Sequence, residues 1–210
     1  MKVGILIPTR GDRKAFLDHA LKMIGEQTVM PSSICIVDDT PLSNDKDITW
    51  RYQKGYERLK NKCDVVACWE DDDCYLPQYI EKNIDAYKKH GAPDLFGCNY
   101  TFYFHIRVMK YAKLTHPGRA SMMNTFIKSG LNIDFGVDKV FTDVHIWKSM
   151  KGVAVEMPLL SMGIKHGIGM SGGIGHRYNW NRYVNDDPQG EFLRSVIGDT
   201  NHKFYTSLVR

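Results

Sequence analysis

The sequence DVVACWEDDDCYLP, residues 64–77, decides the fold because it joins a short apolar segment to four consecutive acids. Residues 64–69 have the length and apolar character of a buried strand, and the acids at 70–73 follow directly where that strand ends. Four adjacent carboxylates repel one another, so the run costs stability unless a cation neutralises it. Oxygen ligands favour a hard ion such as Mg²⁺ or Mn²⁺, and the run therefore indicates a metal site.

A solvated acidic turn is the alternative interpretation of residues 70–73. The segment 76–90 that follows has the pattern of a helix, and acids near a helix N-terminus are favourable through the helix dipole. The run by itself leaves both interpretations open.

Two more apolar segments precede this one, and each ends in polar residues. The strand predicted at 3–7 stops at a proline, and the strand predicted at 33–37 stops at two aspartates. The residues that follow these two strand ends are Pro8, Thr9, Arg10, Asp38 and Asp39. Helical patterns occupy 13–25 and 46–59, and a further strand is expected at 95–98.

Strands that alternate with helices predict βαβ units and an α/β, Rossmann-like fold with a mostly parallel central sheet flanked by helices. In such a sheet a ligand lies outside the carboxyl ends of the strands. We therefore expect the three polar strand ends to converge on one crevice.

The second half of the chain is less regular. Residues 101–115 mix aromatic, β-branched and basic residues, which is typical of a hairpin or an extended excursion. The regular elements expected after it are a helix at 142–150, strands at 153–156 and 159–165, and a last helix at 189–197. The segment 167–175 has five glycines in nine residues and favours a lid over a ligand, with a plain connector as the alternative.

Length and composition are those of an ordinary soluble chain. The 210 residues suit one domain, with 43% hydrophobic and 25% charged residues. No apolar stretch approaches the roughly 20 residues that cross a bilayer, and nothing near the N-terminus resembles a signal peptide. The five cysteines are odd in number and form no CxxC pair, which favours free thiols in a reducing compartment. We expect a cytoplasmic protein, in the host cytoplasm if its source is viral.

Charge is divided unevenly along the chain, whose net charge is +4. Residues 1–100 contain 14 Lys and Arg against 16 Asp and Glu, whereas residues 101–210 contain 14 against 8. A positive second half attracts a phosphorylated acceptor, nucleic acid or an anionic surface, and a solvated face without a partner is equally compatible.

Three short segments in the first 80 residues form an ordered set of motifs. VGILIPTR at 3–10 is followed by a helix and then Gln27-Thr28, ICIVDD occupies 34–39, and WEDDDCYLP occupies 69–77. In this order they resemble the opening strand, the IVDD strand end and the DxDD…LP motif of the GT-A glycosyltransferases, particularly the family-2-like group.

The resemblance implies a metal-dependent, inverting glycosyltransferase in one GT-A domain, residues 1–210. Residues 1–98 would bind the nucleotide-sugar donor, which is expected to be a UDP-sugar. Residues 99–210 would hold the catalytic residue and the acceptor, a hydroxyl of a glycan or a similar molecule.

The resemblance also assigns residues to the donor pocket. The uridine would be lined by Pro8, Thr9 and Arg10. Asp39 would bond the base, with Asp38 structural or shared.

For the metal site, the resemblance implies that Asp72 and Asp73 hold Mn²⁺ or Mg²⁺ against the diphosphate. Asp71 would reach the ribose or a metal-bound water. Glu70 stands where the family often has its first Asp, so the pair that forms the DxD motif is left open. LSMGIKHG at 160–167 resembles the region of a late family histidine, and His166 would complete the metal site or touch the diphosphate. A structural histidine is the alternative.

Two further residues receive roles in the second half. FTDVHIW at 141–147 resembles the segment that carries the family's catalytic acid, with Thr142 in place of the usual Glu and Asp143 retained as the base. The alternative is that Thr142 or Asp143 is only a helix N-cap. Lys165 would pair with phosphate as a point charge.

Other functions remain open at this point. Basic and aromatic residues alternate between 103 and 119, which is compatible with a glycosyltransferase that acts on hydroxymethylated bases of DNA. A non-catalytic nucleotide-sugar-binding module would keep the same strand ends. A nucleotidyltransferase is disfavoured, because the first strand is not followed by a G-x-G-x-R loop.

Overall fold

The computed structural model describes residues 1–10, 13–39, 47–136, 141–167 and 180–208. The strands are β1 (Val3–Pro8), β2 (Ser33–Val37), β3 (Val65–Cys68), β4 (Cys74–Tyr75), β5 (Leu95–Cys98), β6 (Tyr100–His105), β7 (Lys110–Thr115), β8 (Thr125–Lys128), β9 (Gly152–Val155), β10 (Ser161–Lys165) and β11 (Asn185–Asp186). The α-helices are α1 (Lys14–Gly25), α2 (Asp47–Leu59), α3 (Tyr79–Lys89), α4 (Thr142–Ser149) and α5 (Glu191–Ser207). The predicted alternation of strands and helices is confirmed, and β2 and β5 have the predicted bounds.

Six strands form the first sheet, in the order β2-β1-β3-β8-β5-β9. β1 pairs in parallel with β2 and β3, and β5 pairs in parallel with β9. β8 runs antiparallel to both of its neighbours, so the predominantly parallel sheet is mixed. β8 was not among the predicted strands, because its four residues carry no periodicity and pair with segments that are distant in the chain.

Five strands form the second sheet, in the order β11-β7-β6-β10-β4. β6 and β7 form a hairpin, which decides between the two arrangements expected for residues 101–115. β10 pairs in parallel with β6 and antiparallel with β4. Since β3 belongs to the first sheet and β4 to the second, the chain passes between the two sheets within residues 69–73. The acidic run makes that crossing.

Alternate residues of β1 enter two different hydrophobic clusters. Ile5 and Ile7 belong to one cluster with residues of α1 and α3, whereas Leu6 packs with Tyr52 and Tyr56 of α2. Successive side chains of a strand point to opposite faces, so both faces of the first sheet are covered. Coverage on both faces explains why its central strands are apolar throughout.

The carboxyl ends of β2, β1 and β3 lie side by side. The amide of Thr9 donates to the carbonyl of Val37 at 3.1 Å, and the amide of Trp69 donates to the carbonyl of Leu6 at 2.9 Å. The predicted convergence of the three polar strand ends is therefore confirmed, and it places the acidic run beside the segment that follows β1.

The last helix extends well beyond its predicted end at residue 197. α5 continues to Ser207 through a kink at Gly198, whose φ of 76° and ψ of 166° are not helical. The periodic pattern breaks at this glycine because the two halves of the helix do not share one axis. Among the described residues, no helix is long and apolar enough to cross a membrane.

Candidate active site

The acidic run forms a buried turn between β3 and β4. Asp71, Asp72 and Asp73 are 2%, 6% and 0% exposed. The hydroxyl of Tyr75 accepts a hydrogen bond from the amide of Glu70 at 2.8 Å and so anchors the start of the turn. This degree of burial contradicts the interpretation of the run as a solvated acidic turn.

Asp71 is held by groups from the end of β1 and the start of α1. The hydroxyl of Thr9 donates to Oδ2 of Asp71 at 2.5 Å, and Nη2 of Arg13 lies 3.0 Å from Oδ1. Burial and the neighbouring charge of Asp72 nevertheless raise the pKa of Asp71 to about 7. The structure thus brings together two of the predicted donor residues, Thr9 and Asp71.

Asp72 lies at the centre of a closed set of contacts. Its Oδ2 is 2.5 Å from Nη2 of Arg13 and 2.9 Å from Nε2 of His166, which is fully buried. The ring of His166 packs on Phe16 with 4.5 Å between centroids. Burial alone would raise the pKa of Asp72, but Arg13 and His166 outweigh it and hold this pKa below its ordinary value.

Asp73 joins the acidic turn to β10. Its Oδ1 accepts a hydrogen bond from the amide of Ile164 at 2.8 Å. Its Oδ2 is buried and has no hydrogen-bond donor among the described residues. Burial raises the pKa of Asp73 well above its ordinary value, although Lys165 opposes that shift.

Lys165 is a buried cation in the second sheet, beside the acids. It is 5% exposed, and its Nζ lies 4.9 Å from the ring centroid of Tyr103. Burial would lower the pKa of this ammonium group, but the nearby carboxylates, Asp73 foremost, raise it above its ordinary value. Lys165 is therefore a charged group that neutralises part of the acidic turn.

The residues of the turn fit a divalent cation. Glu70, Asp72 and Asp73 each offer a carboxylate oxygen, and these three oxygens lie within 4.8 Å of one another. Arg13 and Lys165 offset two of the four carboxylate charges when all four are ionised, which leaves charge for a divalent ion to neutralise. The unpartnered Oδ2 of Asp73 is a further available ligand atom.

The three residues that supply these oxygens are not the same as the predicted metal ligands, which were Asp72, Asp73 and His166. Glu70 is part of the group, although the sequence left its role open. Nε2 of His166 lies 2.9 Å from Oδ2 of Asp72, and His166 is not part of the three-acid group, so in this structure it orients the carboxylate of Asp72.

The end of β2 is held by a buried arginine that was not predicted. Arg51 of α2 is 1% exposed and donates to the carbonyls of Val37 at 2.8 Å and Asp39 at 3.0 Å. Its Nε donates to Asp47 at 2.8 Å. An arginine on the otherwise buried face of the α2 pattern was the signal in the sequence that could have identified it.

The two aspartates that follow β2 face different surroundings. The side chain of Asp38 is exposed, whereas the carboxylate of Asp39 pairs with Lys54 at 3.0 Å and Arg58 at 3.3 Å. The hydrogen bond from Lys54 lowers the pKa of Asp39. Of the residues expected to line the uridine pocket, Pro8 and Thr9 are buried and Arg10 is half-buried.

Asp143 lies in the first turn of α4, and its ion-pair partner is a residue outside the acidic run. Its carboxylate forms an ion pair with Arg119. Burial raises the pKa of Asp143 although Arg119 opposes that shift. The cap position of α4 is Phe141, and no side chain caps the helix, so the interpretation of Thr142 or Asp143 as the N-cap is wrong.

The basic residues of the β6–β7 hairpin have partners within the fold. Lys110 pairs with Asp186 at 2.7 Å, Lys113 pairs with Glu156 at 2.9 Å, and Nε of Arg107 donates to the carbonyl of His166 at 2.9 Å. The two ion pairs reduce the charge that the hairpin offers to backbone phosphates, and the third contact fixes the orientation of Arg107. They weaken the argument for DNA that the composition of this stretch had raised.

Of the predicted lid at 167–175, only the first residue is among the residues that the structure describes. Gly167 has a φ of 82°, and a Cβ at this position would lie 2.6 Å from Nε of Arg107. The remaining part of that prediction, from residue 168 onward, lies outside the described residues.

The fold and the buried acidic turn define a single-domain α/β protein with the fold of the GT-A glycosyltransferases. Among solved structures, the chain resembles A197 from STIV, with a TM-score of 0.51 and 13% identity over 74% of this chain and 82% of A197. It also resembles S. aureus TarS, with a TM-score of 0.54 and 10% identity over 78% of this chain and 37% of TarS. No protein-family model and no curated protein matches the sequence.

Proposed function

We propose that this protein is a metal-dependent, inverting glycosyltransferase that transfers a sugar from a nucleotide-sugar, a UDP-sugar by preference, to a hydroxyl of a glycan or similar acceptor. The observation that carries the proposal is the buried acidic turn beside the carboxyl ends of β1, β2 and β3. Buried carboxylates at this edge of an α/β sheet lie where such folds bind their ligands.

In this proposal Glu70, Asp72 and Asp73 hold Mn²⁺ or Mg²⁺. When bound, the cation supplies positive charge to the diphosphate that leaves the sugar. Lys165 adds a fixed positive charge on the side of β10, and His166 orients the carboxylate of Asp72. The chain therefore surrounds the leaving group with cationic charge that is already in position.

The donor half, residues 1–98, binds the nucleotide. The residues proposed for the uridine pocket are Pro8, Thr9, Arg10, Asp38 and Asp39. Thr9 is fixed by its hydrogen bond to Asp71, and Arg51 fixes the backbone that carries Asp39. These contacts hold the pocket in shape before the donor binds, which lowers the ordering cost of binding.

Asp143 serves as the base in the acceptor half, residues 99–210. It takes the proton of the acceptor hydroxyl as the new bond to the anomeric carbon forms and the bond from that carbon to the diphosphate breaks. Burial raises the pKa of Asp143 and so increases its affinity for that proton. Attack from the face opposite the leaving group inverts the anomeric carbon.

Nucleotide release from a panel of UDP- and GDP-sugars, measured with Mn²⁺ and with the metal chelated, tests the proposal. We expect Mn²⁺-dependent release from one donor by the wild type and none by Asp72→Asn. Asp85→Asn, which changes an exposed acid on α3, is the matched control and should retain the wild-type rate.

The same assay separates the remaining functions. Nucleotide-sugar binding without release, with and without acceptors, would identify a non-catalytic binding module and overturn the enzyme. Stimulation by hydroxymethylated DNA, with a panel of glycans inert, would replace the glycan acceptor by DNA. No release and no binding under any condition would refute both the donor and the reaction.

A further inference from the structure

We propose that Arg13 is an internal counter-ion that competes with the divalent cation for Asp72, so that the cation binds more tightly when the guanidinium group leaves this carboxylate. The inference rests on the metal site of the proposed function. It adds a residue that controls how readily this site accepts its ion.

A single nitrogen of Arg13 stands between two carboxylates. Nη2 lies 3.0 Å from Oδ1 of Asp71 and 2.5 Å from Oδ2 of Asp72. Asp72 is also one of the three acids whose oxygens can converge on a metal ion. A guanidinium group and a divalent ion repel each other, so each weakens the hold of the other on one buried carboxylate.

Packing holds Arg13 in this position. Its guanidinium carbon lies 5.1 Å from the ring centroid of Phe16, and the same ring packs on His166 at 4.5 Å. His166 in turn contacts Asp72, so these four side chains form a closed ring of contacts that includes the carboxylate. The contact is therefore a built part of the site, with Arg13 and Asp72 both largely shielded from water.

The same surroundings allow Arg13 to leave. Arg13 is the residue before α1, and its side chain is 15% exposed, so the guanidinium group has an open side towards which it can move. Its Nε is buried and has no acceptor among the described residues. An arginine with an unsatisfied buried donor is held less firmly than a fully bonded one.

Calorimetric titration of the whole chain with Mn²⁺ tests the inference. We expect Arg13→Gln to bind Mn²⁺ about tenfold more tightly than the wild type, because the ion no longer displaces a charge-assisted contact. Lys14→Gln is the matched control. This substitution removes the same charge one residue away, from a side chain that is 79% exposed and pairs with Asp18. The Mn²⁺ affinity of Lys14→Gln should equal that of the wild type.

A second readout covers the case in which Arg13→Gln folds poorly. Without the guanidinium group the acids repel one another more strongly, so Mn²⁺ should raise the Tm of Arg13→Gln by more than it raises that of the wild type. Arg13→Lys retains the charge but cannot reproduce the planar fork, and we expect an affinity between those of the wild type and Arg13→Gln.

The outcomes separate this inference from the proposed function. Wild-type Mn²⁺ binding with equal or weaker binding by Arg13→Gln would overturn the competition and leave the metal site intact. An absence of Mn²⁺ binding by the wild type and by every variant would overturn both.

Discussion

Asp73 and Ile164 lie 91 positions apart in the sequence, yet Oδ1 of Asp73 accepts a hydrogen bond from the backbone amide of Ile164 at 2.8 Å. The contact fastens the acidic turn to β10, the strand that ends in Lys165 and leads to His166. One oxygen of Asp73 therefore fixes the geometry of the site, while the other remains available to a ligand.

This division of roles predicts different effects for two substitutions of Asp73. Asn retains an oxygen that accepts from Ile164, and Ala does not, although both remove the charge. We expect Asp73→Asn to be more stable to urea than Asp73→Ala by about 2 kcal/mol, because Ala leaves a buried amide without an acceptor. Both variants should lose Mn²⁺ affinity. Equal stability of the two would show that the contact with Ile164 contributes nothing.

Asp143→Asn tests the proposed base. We expect the transfer rate to fall by about 10²- to 10⁴-fold, because an amide cannot accept the proton of the acceptor. Mn²⁺ binding and donor binding should stay at wild-type levels. Asp134→Asn is the control, since the side chain of Asp134 is 76% exposed and contacts His145 of α4, the helix that also carries Asp143. A wild-type rate in Asp143→Asn would move the base elsewhere.

The contribution of His116 to stability should fall as the pH drops from neutral towards 4. Burial and the charge of Arg119 lower the pKa of His116 to about 4, so the folded state resists protonation that the unfolded chain accepts near pH 6.5. This contribution is complete above about pH 6.5 and is lost progressively below it, by at most about 3 kcal/mol. The difference in urea midpoint between the wild type and His116→Asn, followed from about pH 7 to about pH 4.5, measures the loss, because the carboxyl groups of the acidic turn titrate in both proteins.

His116→Asn should reduce this pH dependence. His19 is buried in the same way, and its pKa is also lowered to about 4, so the variant keeps the contribution of His19 and loses only that of His116. His90→Asn, at an exposed position, is the control. An unchanged slope in His116→Asn would show that this residue does not titrate as described.

Arg51→Met should destabilise the fold strongly. The substitution leaves the carbonyls of Val37 and Asp39 and the carboxylate of Asp47 without their donor. We expect a loss of about 3 kcal/mol in the free energy of unfolding, typical of a broken buried ion pair. Arg58→Met, on the same helix and 40% exposed, should cost less than about 1 kcal/mol. Similar losses in both variants would contradict the anchoring role of Arg51.

The contact between α2 and β1 can be tested with a pair of glycines. A Cβ on Gly55 would lie 2.7 Å from Cγ of Leu6, so Gly55→Ala should cost about 1–3 kcal/mol through overpacking. Gly25, at the end of α1, has nothing within 4 Å of such a Cβ, and Gly25→Ala should change stability by less than about 1 kcal/mol. Thermal denaturation of the two variants compares them directly.

Local patterns of the sequence were sufficient for the donor half of the fold. β1, β2 and β3 each consist of an apolar run that ends at polar residues, and the helices between them each have one apolar face. Adjacent parallel strands end at the same edge of a sheet, so the meeting of Thr9 with the acidic turn followed from the order of elements alone. Patterns of this kind depend on neighbouring residues, which is why they were visible without coordinates.

The tertiary structure decided what depends on distant partners. β8 is a strand because β3 and β5 lie on either side of it, and no property of its four residues indicates this. The burial of the acidic turn, and hence the rejection of a solvated turn, depends on β10 and α1 packing against it. The same holds for Arg13 and Arg51, whose roles come from carboxylates and carbonyls that approach them only when the chain is folded.

Sequence by itself thus determined which residues could carry the chemistry, because acids at strand ends are a local feature. Folding determined how their charges are shared. Arg13 and His166 meet on Asp72, Ile164 and Lys165 approach Asp73, and Glu70 joins the group of oxygens. A charge interacts through space over a few ångströms, and only the folded chain brings the start of α1, the acidic turn and the end of β10 within that distance.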